Sequence, residues 1–272
     1  MNSMFKNCEK LKDLNLSNFN TEKVTDMSHM FEDCSEIEKL DLSSFNIKNA
    51  KDILNMFKNC KNLWSLKLSI FNNEKMNDIS HILDVCTEIN SIHLILSNPK
   101  NITNTLNILK NYKNLKYLKI TNFNTENLTD MSHMFEGCIN LKELDISSFN
   151  TRNVTNMNSM FKNCEKLKDL NLSNFNTENV TDMSHMFEDC SEIEKLDLSS
   201  FNTKNVTNMN SMFKNCEFLK DLNVSNFNTE KVTDMSHMFE DCTKMENLDL
   251  SSFNTKNVNT MNSMFKKYVK DV

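Results

Sequence analysis

Residues 183–208 read Met-Ser-His-Met-Phe-Glu-Asp-Cys-Ser-Glu-Ile-Glu-Lys-Leu-Asp-Leu-Ser-Ser-Phe-Asn-Thr-Lys-Asn-Val-Thr-Asn, and this pattern recurs along the chain every 26 residues. The cysteines mark the period: Cys8, Cys34, Cys60, Cys86, Cys138, Cys164, Cys190, Cys216 and Cys242. One interval is 52 residues long, because Tyr112 stands where a cysteine is expected. A fixed period of this size, repeated many times, is typical of a protein built from stacked coils.

The register divides the chain without insertion or deletion. Units begin at residues 1, 27, 53, 79, 105, 131, 157, 183, 209 and 235, and a partial unit covers 261–272. One glycine and one proline leave no linker between units. We therefore expect a single solenoid domain over residues 1–272.

Composition and charge argue against two classes of partner. No apolar run approaches the roughly 20 residues of a membrane-spanning helix, so we expect no membrane insertion. The net charge is −6 and Arg152 is the only arginine, whereas a nucleic-acid-binding protein carries a basic stripe. We therefore expect no nucleic-acid partner.

Each unit contains two hydrophobic patterns. If its residues are numbered from 1 to 26, the first eight in the chain show apolar residues at positions 1, 4, 5 and 8 (Met1, Met4, Phe5 and Cys8), which is the stripe of a helix. Asp26 precedes the second copy, as a helix N-cap should. Leu14 and Leu16 alternate with polar residues, which predicts a strand with one buried side. One coil is thus predicted to contain a strand, a turn and a short helix.

Stacking places each position over the same position of the next coil, about 4.8 Å away. The strands then form one long parallel sheet, and the phenylalanines at position 19, such as Phe175 and Phe201, form a ladder in the core. Position 20 is asparagine in all ten complete units. Because asparagine tolerates the left-handed conformation and bonds neighbouring backbone, the pattern predicts a stacked amide ladder at this bend.

Two charged positions change sign from each unit to the next. Position 6 runs Lys162, Glu188, Lys214 and Glu240 in consecutive units, and position 22 alternates in the same way. Opposite charges about 5 Å apart attract, so the alternation predicts columns of ion pairs. The building block is therefore a pair of coils. Residues 1–52 and 157–208 differ at only five positions, which indicates duplication of that pair.

The stretch from Cys190 to Cys216 resembles the BspA-like leucine-rich repeats of surface proteins. It contains Ser-Ser-Phe-Asn-Thr, then Asn-Val-Thr-x-Met, and ends on Met-Phe-x-x-Cys. The resemblance covers the whole chain. It implies an α/β solenoid of about ten coils, with a parallel β-sheet on the concave side and short helices opposite. It also implies a cell-surface or extracellular protein that functions in adhesion or interaction.

The recurring cysteines and histidines are better explained by structure than by chemistry. The cysteines lie on the apolar stripe, so buried reduced thiols are favoured over disulfides or metal ligands. His185 and His237 are 52 residues apart, about 10 Å across two coils, and cannot share a metal. The sequence contains no phosphate loop and no unique catalytic cluster. We therefore expect no catalytic residue, no metal and no cofactor, and no enzymatic activity.

The repeat is most irregular in residues 53–130, which makes this region the candidate partner-binding surface. Apolar or aromatic residues appear there at positions that are polar elsewhere: Trp64, Ile70, His93, Ile95, Leu96 and Tyr117. Aromatic anchors dominate the binding energy of protein interfaces. The alternative is sequence drift, with Leu96 turned inward to replace the phenylalanine lost at Ser97.

Two functions therefore remain open. The first is a non-enzymatic binding or adhesion protein, with a protein partner on the concave sheet face. The second is a structural spacer within a longer surface array, without a ligand of its own. The chain carries no visible signal peptide or lipoprotein motif, so a cytoplasmic location is the alternative to the cell surface. Uncapped ends would also permit end-to-end self-association.

Overall fold

The computed structural model describes residues 1–50, 53, 55–70, 88–96, 114–123 and 125–267. These residues fall into two compact units, one in the part before residue 124 and one in the part after it. Both units consist of stacked coils joined by parallel β-pairing. The parallel-sheet solenoid expected from the 26-residue period is thereby confirmed, whereas the total of ten coils and the single domain over 1–272 remain predictions.

In its described residues, the first unit contains four strands that pair in chain order. They are β1 (Lys39–Leu42), β2 (Ser65–Ile70), β3 (Ser91–Leu96) and β4 (Tyr117–Thr121). Each strand pairs in parallel with the next, and partners are always 26 residues apart, as in Leu66↔Ile92. The alternation of leucine and polar residues sets this register, because a shift by one residue would turn the apolar side chains to solvent.

The part of the second unit that the structure describes contains three shorter strands, β5 (Glu143–Asp145), β6 (Lys195–Asp197) and β7 (Asp221–Asn223). Strands β6 and β7 pair in parallel, again with a shift of 26 residues. A second line of parallel bridges joins the residues at position 26 of successive coils: Asp130, Asn156, Asp182, Asn208, Asp234 and Thr260. Coils of this unit are thus also joined along a line of bridges away from the strands.

Where the structure describes the start of a unit, the short helix predicted there is wrong. Throughout the described residues these segments are turns, and none of them is helical. Position 3 and position 7 adopt the left-handed conformation, as at His185 (φ 58) and Asp189 (φ 61). A left-handed residue ends a helix, so two of them within five residues prevent one from forming.

Backbone hydrogen bonds show what replaces the helix. The N–H groups of Met186 and Glu188 donate to carbonyls three residues earlier in the same coil, at 3.3 Å and 3.2 Å. The N–H groups of Phe187 and Asp189 donate instead to the next coil, at 2.9 Å and 2.8 Å. A helix would direct all of these groups along its own axis. In this alternating scheme every second N–H group bonds within the turn, and the N–H groups between them bond to the neighbouring coil.

The burial predicted for these segments is nevertheless confirmed. Met183, Met186, Phe187 and Cys190 are all fully buried. The phenylalanine rings at position 5 stack from coil to coil, and the centroids of Phe187 and Phe213 are 5.7 Å apart. A second ladder at position 19 also forms, as in the pair Phe175–Phe201 at 6.5 Å. The apolar spacing therefore identified the core correctly, although it indicated the wrong backbone conformation.

In the bend after the strand, asparagines at two different positions make different hydrogen bonds. Asn176 at position 20 does not adopt a left-handed conformation; its Oδ1 accepts a hydrogen bond from the N–H of Glu178 in the same coil, at 3.0 Å. An amide contact between coils is made at position 23, where Asn205 Nδ2 donates to the carbonyl of Glu178 at 2.9 Å. The predicted role of position 20 is thus divided between two asparagines.

The alternating charges form the expected ion pairs. Lys162 lies 2.6 Å from Glu188, and Glu240 contacts both Lys214 (3.6 Å) and Lys266 (2.6 Å). A histidine of the same coil also contacts each glutamate, as in His237 Nδ1 to Glu240 Oε2 at 2.6 Å. These glutamates are nearly buried, and throughout the described part of the chain every buried side-chain nitrogen or oxygen has a hydrogen-bond partner.

Candidate functional site

The exposed face of the β1–β4 sheet displays two rows of side chains. The first row, one residue per strand, is Lys39, Ser65, Ser91 and Tyr117; the second row is Asp41, Lys67, His93 and Lys119. These residues alternate with buried leucines and isoleucines, so their side chains point away from the core. We refer to this surface as the β1–β4 face.

Trp64 precedes the first residue of β2 and lies at the edge of this face. Its indole is partly exposed, and the ammonium of Lys39 sits 4.7 Å from the ring centroid. This distance permits a cation–π interaction of about 0.5–1 kcal/mol at an exposed site. The ring thus contacts the lysine on one side and is still partly accessible to a partner.

Tyr117 begins β4 and is 39% exposed, which makes it an exposed large hydrophobic residue of the first unit. The register Ser65↔Ser91↔Tyr117 places it two strands from β2, about 10 Å away along the sheet. The two serines between Trp64 and Tyr117 carry short side chains. The two aromatic residues thus lie on either side of a shallow depression in the face.

The other candidates divide between the face and the core. His93 is partly exposed, and its Nε2 lies 2.9 Å from the hydroxyl of Thr121 on β4. Ile95 is also partly exposed. Leu96 is 1% exposed, so it belongs to the core and not to the binding surface. Ile70 ends β2, but its side chain lies outside the described residues.

A polar cleft of about 750 Å³ opens beside β1, and the sequence analysis did not identify it. Its lining includes Asp13, Lys39 and Asp41. A smaller cleft of about 340 Å³ in the second unit has Asp169, Lys195 and Asp197 at the same relative positions, 156 residues later. The near identity of residues 1–52 and 157–208 was the signal that could have revealed this repetition.

Each cleft contains one aspartate whose pKa is lowered by its hydrogen bonds, Asp41 and Asp197. Burial raises the pKa of Asp41, but hydrogen bonds from Ser43 and the ammonium of Lys67 at 3.0 Å outweigh it and lower the pKa below 3.8. Hydrogen bonds from the backbone and hydroxyl of Ser199 lower the pKa of Asp197 in the same direction. Carboxylates held in this way accept hydrogen bonds and do not act as proton donors near neutral pH.

The described residues contain no group of three or more histidine, cysteine, aspartate or glutamate side chains placed to hold a metal ion. Eight cysteines in the described ranges carry free thiols, and all of them except Cys8 are buried. Within the same ranges, no helix has the length and apolar character needed to span a membrane.

Comparison with known proteins gives one family and one distant structural similarity. No curated protein matches the sequence. A solved structure titled "Crystal structure of TLR13-ssRNA13 complex" is similar over 87% of this chain and 50% of its own, at 15% identity and a TM-score of 0.23. The present chain thus spans half the length of that protein, and a similarity this weak carries no argument about ligand or fold.

The family match is extensive. Residues 1–95, 95–196 and 181–270 each match the family described as "Mycoplasma protein of unknown function, DUF285". The three segments together cover nearly the whole sequence, in agreement with the internal repetition. The chain belongs to the DUF285 family.

Proposed function

We propose that this chain is a non-enzymatic binding or adhesion protein whose protein partner docks on the β1–β4 face. The observation that supports this proposal is the pair Trp64 and Tyr117 on a face that is polar in other coils. The equivalent positions of the second unit hold Lys168, Glu194 and Asp221. Large aromatic side chains at exposed positions are the usual energetic anchors of protein interfaces.

The repeat architecture supports the non-enzymatic part of this proposal. A residue that recurs every 26 or 52 positions generates many equivalent surfaces, whereas catalysis requires one unique arrangement of groups. The resemblance to BspA-like surface repeats supports a location at the cell surface or outside the cell. It also supports extracellular proteins as the class of partner.

A structural spacer is the second candidate. The observation that favours it is the duplication of residues 1–52 in 157–208, with five differences, because selection for length requires only that coils stack. In that case the aromatic residues of the β1–β4 face reflect drift.

A binding experiment separates the two candidates. The immobilised full chain is exposed to a mixture of extracellular proteins, and any captured protein is purified and titrated against the wild type and two double variants of the chain. Trp64→Ala with Tyr117→Ala should weaken binding by about 2 kcal/mol or more, as expected for interface anchors. Lys168→Ala with Asp221→Ala, at the same positions of the second unit, should have little effect.

Two results would exclude the binding proposal. One is equal binding by the wild type and the aromatic double variant. The other is unfolding of that variant, detected by circular dichroism, because the two side chains would then belong to the core. Capture of nothing above the background of an inert protein would favour the spacer.

A further inference from the structure

The β1–β4 face differs in charge from the corresponding surface of the second unit. Residues 38–41, 64–67, 90–93 and 116–119 include four lysines and two acidic residues, a balance of +2. The corresponding residues 142–145, 168–171, 194–197 and 220–223 include four lysines and six acidic residues, a balance of −2. The face with the aromatic residues is thus locally basic, although the whole chain carries a charge of −6.

The basic residues of this face are regularly spaced. Lys67, His93 and Lys119 are register partners on three consecutive strands. Two strand intervals separate the first from the last, a distance of about 10 Å. The ion pair of Lys67 with Asp41, at 3.0 Å, is exposed and therefore weak. An incoming carboxylate can compete with Asp41 for this ammonium.

The aromatic residues of the face place a second requirement on the ligand. Trp64 and Tyr117 flank the short side chains of Ser65 and Ser91, next to the row of basic residues. A ligand that contacts both features needs negative charges and apolar groups in alternation. Aromatic-lined grooves favour proline-rich segments, whose polyproline II helix is already formed before binding.

We propose that the partner of the β1–β4 face presents an acidic segment in the polyproline II conformation, with carboxylates three residues apart. This proposal rests on the proposed function and specifies the chemistry of the partner. In that conformation residues i and i+3 share one side, and their separation of about 9–10 Å matches the spacing of Lys67 and Lys119. The two residues between them point to the other two sides of this three-fold helix, so one of them can turn toward the aromatic side chains.

Two labelled peptides of equal composition test the spacing. The first is Glu-Pro-Pro-Glu-Pro-Pro-Glu and the second is Glu-Glu-Glu-Pro-Pro-Pro-Pro. Fluorescence anisotropy with the full chain should show about tenfold tighter binding of the first, because only there do the carboxylates reach both lysines. Raising the salt concentration from about 50 mM to about 300 mM should weaken binding of the first peptide, since exposed charges are screened.

Variants test the site. Lys67→Gln with Lys119→Gln should weaken binding of the first peptide by about tenfold, whereas Lys168→Gln with Lys220→Gln in the second unit should leave it unchanged. Circular dichroism and the thermal midpoint show whether each variant keeps its fold. Equal binding of the two peptides, or equal effects of the two double variants, would overturn the proposal.

Two further outcomes separate this inference from the proposed function. A captured protein that depends on Trp64 and Tyr117 but not on Lys67 and Lys119 would preserve the binding function and refute the acidic segment. A short oligothymidine that binds more tightly than the first peptide, with the same dependence on the two lysines, would refute it in favour of a nucleic acid.

Discussion

The hydroxyl of Thr177 makes two hydrogen bonds to the backbone of Asn202, one coil further along the chain. It accepts a bond from the N–H of Asn202 at 2.8 Å and donates one to the carbonyl oxygen of the same residue at 3.1 Å. Thr177 is fully buried, and buried threonines at position 21 of other coils repeat the arrangement, as at Thr203 with Asn228. A single side chain therefore supplies both a donor and an acceptor between adjacent coils.

Thr177→Val should lower the free energy of unfolding by about 1–3 kcal/mol, because it keeps the shape but leaves buried backbone groups without partners. Urea denaturation followed by circular dichroism measures the change. Thr177→Ser should retain most of the stability. Thr181→Val is the matched control, because the Thr181 hydroxyl is exposed and donates only one bond, to Thr155. A similar loss in both valine variants would contradict the proposed bridging role.

Gly137→Ala should destabilise the second unit by about 1 kcal/mol. Gly137 occupies position 7 with φ +76, and no residue other than its two chain neighbours has an atom within 4 Å of the place where a Cβ would be built. The cost is therefore conformational and not steric. Gly137→Asn should cost less, because asparagine tolerates this conformation and occupies the equivalent position at Asn163 (φ 59). Thermal denaturation of the two variants should show this order, and equal midpoints would be inconsistent with it.

Removal of 52 residues should be tolerated better than removal of 26. Deletion of 157–208 leaves Glu136 next to Lys214, whereas deletion of 157–182 places Glu136 next to Glu188 and Arg152 next to Lys204. The observed Lys162–Glu188 pair at 2.6 Å shows that position 6 of adjacent coils is in contact range. The shorter deletion should give the lower stability, most visibly at low salt, where charge repulsion is least screened. If the two deletion variants had equal stability per remaining coil, the alternation of charge would not determine which coils can stack.

Acidification should weaken the contribution of the Glu188 carboxylate to the stability of the fold. Burial raises the pKa of this carboxyl, but the hydrogen bonds from His185 and Lys162 outweigh it and lower the pKa from 4.5 to about 2. Because the folded protein binds the proton more weakly than the unfolded chain, this stabilisation is complete above pH 4.5 and is lost as the pH falls toward 2.

The measurement is the difference in urea midpoint between the wild type and Glu188→Gln from pH 7 down to pH 2. This difference in urea midpoint should be largest at pH 7 and should vanish near pH 2. Glu178→Gln serves as the control, because Glu178 is paired with Lys204 at 2.6 Å but is exposed, so solvent screens the interaction. A difference for Glu188→Gln that does not depend on pH would exclude the ion pair as its cause.

Thiol reagents should distinguish Cys8 from the buried cysteines. Cys8 is exposed, whereas burial raises the pKa of Cys242 to about 12 and that of Cys34 to about 11. The thiolate is the reactive form, so buried thiols with a raised pKa should react slowly in the native state. Titration without reductant should show a fast phase that Cys8→Ser removes, and nine thiols after denaturation. A lower total would reveal disulfides.

Cys190→Ala should cost about 1–2 kcal/mol as the loss of a small buried group, without abolishing the fold. The Cys190 thiol donates a weak hydrogen bond to the carbonyl of Phe161 at 3.2 Å, and its substitution leaves that carbonyl with one partner fewer. Complete unfolding of the variant would instead point to a structural role beyond packing.

The candidate surface was only partly predictable. The departure of Trp64 and Tyr117 from the repeat was visible in the sequence, because the other coils supply the reference at each position. The burial of Leu96 was left open, and the structure decides it: β3 runs as far as Leu96, so this residue follows Ile92 and Leu94 on the buried side of the strand. The polar clefts were also missed, because their lining residues match the consensus and only the stacked coils bring them together.

Several features of the fold follow from the sequence by itself. The 26-residue period fixes which residues lie above one another, and the alternation of charge fixes the two-coil block, because both depend only on side-chain chemistry at regular spacing. The tertiary structure decided the backbone between the strands. Side chains at positions 1, 4, 5 and 8 face the core both in a helix and in the observed turns. The apolar pattern therefore cannot distinguish the two conformations. The choice depends on carbonyl groups of the next coil, such as that of Met212, which accepts the N–H of Phe187 and makes the turn as well bonded as a helix.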